Sequence, residues 1–80
     1  MTAPHITMIA RLIHRSDGTA YHGEFEAPLD PAEALIRAHE KYGATYRIVT
    51  VYPEAQHLRV GWHEKLAAAM LAPPLEGRNA

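Results

Sequence analysis

The 80 residues offer six histidines, nine acidic side chains, a single serine (Ser16) and no cysteine, and any reactive chemistry must be assembled from these. The most suggestive spacing lies in "RSDGTAYHGEFE", residues 15–26, where His22, Glu24 and Glu26 recur at every second position. On a strand, that period puts all three on one face, where imidazole and carboxylate can converge on a metal ion. Arg11, expected opposite Glu24, counts against such a site, because a cation at its centre repels the ion. The plainer reading is a cross-strand charge pair between Arg11 and Glu24, worth roughly 0.2–1 kcal/mol. Nucleophilic chemistry has less to work with. There is no thiol, and Ser16 sits in a turn outside any Gly-x-Ser-x-Gly setting. Thr50 has no evident base beside it. General acid–base work needs a carboxylate shifted by burial, whereas Glu24 and Glu26 are expected on an open face. The glycines do not cluster into a phosphate-cradling loop. The expectation is a protein that binds, with no catalytic residue, metal or cofactor.

The elements that must position these side chains can be read from patterning. Residues 6–15 and 20–27 alternate as two strands around "SDGT", and Asp-Gly is a strong signal for a two-residue type I′ hairpin. That turn sets Arg15 opposite Ala20, Ile13 opposite His22, Arg11 opposite Glu24 and Ala10 opposite Phe25. One face then collects Met8, Ala10, Leu12, Tyr21, Phe25 and Ala27 as core. The other carries Thr7, Ile9, Arg11, Ile13, Arg15, His22, Glu24 and Glu26.

"LDPAEALIRAHEKYG" predicts a helix, with Asp30 as N-cap, Pro31 in the first turn, Glu33 in a capping-box position and Gly43 at the end. Leu35, Ala38, His39 and Tyr42 follow helical spacing as its buried stripe, and Glu33 and Arg37 form an i, i+4 pair. "TYRIVTVYP" predicts a third strand and "HLRVGW" a fourth, with Val49 and Val51 facing inward toward Val60 and Leu58. Tyr46, Ile48, Thr50, Tyr52, His57 and Arg59 are expected on the opposite face. "HEKLAAAMLA" predicts a short second helix, stopped by Pro73 and Pro74. His5 and His63 fall at element ends. The expected architecture is one α+β domain over residues 1–72, an antiparallel sheet in ββαββα order packed on one main helix, with residues 73–80 as a flexible tail.

Composition narrows the function further. A chain this short buries only about 60% of its unfolded surface, and without disulfides it must rely on regular packing or on association. The formal net charge of -1 argues against a general nucleic-acid binder. No apolar run approaches the roughly 18–20 residues of a membrane span. The start "MTAPHITMIARLIH" lacks the basic region and long apolar core of a signal peptide, so a cytoplasmic protein is expected. The open face combines Tyr46, Tyr52, Arg59, Ile9, Ile13 and His22 with Arg11, Glu24 and Glu26. That mixture of large amphipathic anchors and rim charges suits a protein interface, whether with another protein or in a homodimer. The runner-up is a small nucleic-acid-binding accessory protein that uses the Tyr/Arg face.

In whole-chain layout, the hairpin "ITMIARLIHRSDGTAYHGEFEAP", the helix "DPAEALIRAHEKYG" and "YRIVTVYPEAQHLRVGW" resemble the small single-domain anti-CRISPR proteins of phages and bacterial mobile elements. The likeness is greatest to inhibitors of type I Cascade complexes, type I-C in particular. The resemblance implies docking on a Cas subunit in the bacterial cytoplasm, which blocks target-DNA recruitment. Docking is expected through the Tyr/Arg face, or through an acidic patch of Glu24, Glu26, Asp30, Glu33 and Glu40 set against a basic groove.

Overall fold

The computed structural model describes residues 4–71, so the expected tail and the helix-stopping prolines lie outside the described residues. Strands β1 (Ile6–His14) and β2 (Ala20–Ala27) are followed by helix α1 (Pro31–Tyr42), strand β3 (Tyr46–Pro53), a 3-10 turn (Gln56–Arg59) and helix α2 (Trp62–Leu71). The strands form an antiparallel sheet in the order β2-β1-β3. β1 is therefore central, and α1 carries the chain from one edge to the other. The α+β class holds, with one strand fewer than expected.

The hairpin closes differently from a type I′ turn. His14 N donates to Thr19 O at 2.8 Å and Gly18 N donates to His14 O at 2.9 Å, leaving residues 15–18 as a four-residue loop. Gly18 sits in the left-handed region at φ 75 as the last residue of that loop. The register moves by two positions, so Arg11 faces His22 and Glu24 faces Ile9. The expected Arg11–Glu24 pair is thus replaced. A shift of two keeps every side chain on its face, which is why the division between the two faces survives, although Tyr21, expected in the core, is exposed at the end of the helix side.

Met8, Ala10 and Leu12 of β1, Phe25 and Ala27 of β2 and Val51 of β3 form the core with Ala34 and Ala38 of α1 and Trp62 and Leu66 of α2. Both helices therefore cover the same side of the sheet. The small α1 residues let that helix lie close to the strands, and Trp62 and Leu66 fill the volume left beside it. His39, expected on the packed stripe, is exposed, and Ile36 is exposed as well. Asp30 caps α1 as expected, its Oδ2 accepting from Glu33 N at 3.2 Å. Gly43 ends the helix in the right-handed region at φ -62, with its N–H on His39 O.

β3 and the segment after it depart from the expected pattern. The pairing with β1 slips between Arg11 and Leu12, leaving Val49 as the extra residue of a bulge. Before it, Tyr46 pairs with His14 and Ile48 with Leu12, so both turn to the helix side. After it, Thr50 pairs with Arg11 and Tyr52 with Ile9, on the open side. The expected fourth strand does not form. Residues 56–59 make a 3-10 turn, and Val60, expected opposite Val49 in the core, is 88% exposed. The reason is the pull of Trp62: its indole Nε1 donates to Val51 O at 2.9 Å while its ring enters the core. Reaching that point requires the chain to cross the β3 edge rather than run along it.

Candidate functional site

The face of the sheet opposite the helices is the surface left for recognition. Thr7, Ile9, Arg11 and Ile13 project from β1, His22, Glu24 and Glu26 from β2, and Arg47, Thr50 and Tyr52 from β3. Register arranges them in rows: Glu24, Ile9 and Tyr52 in one, His22, Arg11 and Thr50 in the next, Ala20, Ile13 and Arg47 in the third. Ile9 and Ile13 are partly exposed at the centre, whereas Arg11, His22, Glu24, Glu26 and Arg47 are exposed. The face is electrically sided. Carboxylates lie along β2, and guanidiniums along β1 and β3. Thr7 Oγ1 donates to Glu26 Oε2 at 3.0 Å and holds one of those carboxylates in place.

Arg59 adds to the basic side. Its guanidinium lies over the Tyr52 ring, 4.7 Å from the centroid, while Nε donates to Pro53 O at 2.8 Å and Nη2 to Glu54 O at 3.0 Å. Carbonyl partners fix the group without neutralising it, so a positioned positive charge stands beside an aromatic ring.

Of the residues singled out from sequence, Arg11, His22, Glu24, Glu26, Tyr52 and Arg59 thus belong to one surface. Three others are placed elsewhere. Asp30 is occupied as the α1 cap, and Glu33 is paired with Arg37 at 3.1 Å. Tyr46 lies on the helix side in a cluster of edge-to-face rings with His14 at 5.2 Å, Tyr21 at 5.7 Å and Tyr42 at 6.1 Å. Arg47 is the open-face residue that sequence reasoning missed, because strict alternation along "YRIVTVYP" sends it inward. Only the bulge at Val49 reverses it, and a bulge of this kind has no marker in that string.

Both sheet edges are engaged in part by side chains. On β2 the free-edge carbonyl of Glu24 accepts from Tyr42 Oη at 2.6 Å and Lys41 Nζ at 2.9 Å, both from the end of α1. Gly23 makes this possible, since a Cβ there would stand 2.6 Å from Tyr42 Cζ and Oη. On β3, Trp62 takes Val51 O and Arg59 takes Pro53 O. These contacts, with a proline at the strand end, obstruct the addition of a further strand.

The hairpin loop holds a small polar group that includes the lone serine. Ser16 Oγ lies 2.9 Å from His14 Nδ1, and Ser16 N donates to the same nitrogen at 3.2 Å. Asp17 Oδ1 is 3.6 Å from that nitrogen as well. A hydrolytic triad needs the hydroxyl and the carboxylate on opposite ring nitrogens. Here both converge on one, an arrangement that fastens a turn. Thr19 N donates to Asp17 Oδ1 at 2.9 Å, and Thr19's backbone and side-chain hydrogen bonds hold the Asp17 carboxyl below its usual pKa.

Among the described residues no group of three His, Asp or Glu side chains is placed to hold a metal ion, and no helix is long and apolar enough to cross a membrane. No family model, curated protein or solved structure matches the chain.

Proposed function

We propose that the protein works by binding another protein through the open face of its sheet, and that the partner is a Cas subunit of a type I CRISPR effector in the bacterial cytoplasm. The observation that carries the binding reading is the combination of a sided, partly apolar face with partly engaged edges. Ile9 and Ile13 offer apolar area at the centre, and charges of both signs surround them. Tyr52 and Arg59 are residue types that dominate binding energy in protein interfaces. With side chains at one carbonyl of the β2 edge and two of the β3 edge, contact through side chains of the face is favoured over strand addition. The identity of the partner comes from the resemblance in layout to type I, and especially type I-C, inhibitors, whose docking blocks recruitment of target DNA.

The test is a pull-down from cells that carry a type I-C system, with Arg11→Glu, Glu24→Arg and Tyr52→Ala beside the unaltered chain. Capture of Cascade subunits is expected, and each substitution should weaken it while the circular dichroism spectrum is unchanged. Full capture by all three variants would remove the face from consideration, and no Cas subunit in the eluate would remove the partner.

A second reading draws on Arg47. Arg59 lies over Tyr52, Arg11 stands one row along and Arg47 two rows along, a line of cations beside an aromatic ring that can contact successive phosphates and stack a base. Gel shifts with single- and double-stranded DNA and RNA discriminate between the readings. Tight, salt-sensitive binding by the isolated protein favours nucleic acid.

A further inference from the structure

The open face is close to self-complementary, and we infer that in the absence of its partner it is covered by a second copy of the chain, the two sheets stacked face to face about a two-fold axis parallel to β1. This rests on the open face being the binding surface, but not on the identity of the partner.

The register decides which axis fits. An axis parallel to β1 lays β2 of one copy over β3 of the other and leaves β1 over β1. Because Glu24 and Tyr52 share the Ile9 row, Glu24 then meets the Tyr52 ring and the Arg59 guanidinium of the second copy. Ile9 and Ile13 stack on their own counterparts at the centre. Arg11, also on β1, lies over its own counterpart near the axis, and the two exposed guanidiniums can separate by extending to opposite sides, each toward the Glu24 of the other copy one row along. An in-plane axis across the strands instead sets β2 on β2 and brings Arg59 toward Arg47, joining like charges. Glu54, just past the end of β3, meets Glu26 in the favoured arrangement, but at the solvent-washed rim where charge is screened.

Size makes the contact weak. Three strands about 4.8 Å apart, each seven or so residues long at about 3.3 Å per residue, present roughly 350 Å² in projection. Two such faces total roughly 700 Å² in projection, well short of the about 1,200 Å² at which stable specific interfaces begin, so the pairing is transient and dissociates readily. A partner that offers better contacts to the same side chains displaces the second copy, so self-association and partner capture compete.

Sedimentation velocity on the purified chain over a concentration series tests this, with Glu24→Arg and Arg11→Glu alone and mixed in equal amounts. Both side chains are exposed and tie down no other element. The unaltered 8.9 kDa chain is expected to show a reversible monomer–dimer equilibrium. Each variant alone should weaken dimerisation by about tenfold or more through like-charge contact. The equimolar mixture should recover dimerisation in part and above either variant alone, because a mixed pair sets the introduced arginine of one copy against the introduced glutamate of the other and keeps Arg11 against Glu24, while one of the two contacts with Arg59 becomes like-charged. Unaltered melting temperatures check that the variants fold. A chain that stays monomeric throughout, variants that dimerise like the original, or a mixture that fails to recover each overturn the inference. The measurement contains no Cas protein, so its failure leaves the pull-down result standing, and the reverse is also true.

Discussion

Glu24 divides its duties between backbone and side chain. Its carbonyl is taken by Tyr42 and Lys41 at the β2 edge, while its carboxylate is left for recognition. Asp30 and Glu33 had equal standing as acidic residues in the sequence, yet each is absorbed by local helix chemistry. A carboxylate one turn from helix N–H groups or from an i+4 arginine is satisfied locally, and Glu24 and Glu26 have no such neighbours. Asp17 is held by a different local partner, Thr19. Its folded pKa lies below the unfolded value, so its contribution is present above the ordinary carboxylate range and fades as pH falls through the folded pKa. Asp17→Asn keeps an oxygen for Thr19 N but has no proton to gain. The difference in melting temperature between the two proteins is expected to shrink between about pH 5 and pH 2. A difference independent of pH would show that the charge is idle.

The contact between α1 and β2 shows how a glycine in a strand can serve packing rather than turning. Gly23 leaves the space in which the Tyr42 ring lies as it bonds to Glu24 O. Gly23→Ala is expected to cost about 1–3 kcal/mol in urea unfolding, in keeping with an overpacked site. Adding Tyr42→Leu removes the collision, so the double variant should be little less stable than Tyr42→Leu alone. Additive losses would mean that the two positions are not in contact. The elements themselves were largely legible: α1 from its cap, proline and spacing, and the hairpin from alternation around Asp-Gly. The loop length was not, because Asp-Gly serves a two-residue turn and the end of a four-residue loop equally well. The bulge in β3 and the loss of the fourth strand were hidden for a related reason. "HLRVGW" alternates like a strand, and nothing within it shows that Trp62 belongs to a core built from all three strands and α1.

For the molecule as a whole, a three-stranded sheet with helices on one side has two open edges and one open face, and this chain engages each edge in part and leaves the face. Arg59→Ala combined with Trp62→Phe uncovers Pro53 O and Val51 O while keeping an aromatic ring in the core. Light scattering during heating should then begin further below the melting temperature than in the original protein, as unpaired strand edges promote association. Scattering that tracks unfolding equally in both would assign the edge contacts to stability alone. By itself the sequence determined the α+β class, the capped helix and the parity of the first hairpin, because these depend on spacing within a few residues and parity survives a slip of two. Which carboxylates remain available, the reversal of Tyr46 and Arg47 across the sheet and the partial engagement of both edges were decided only in three dimensions. Each depends on a side chain meeting backbone far along the chain, and local spacing carries no record of that meeting.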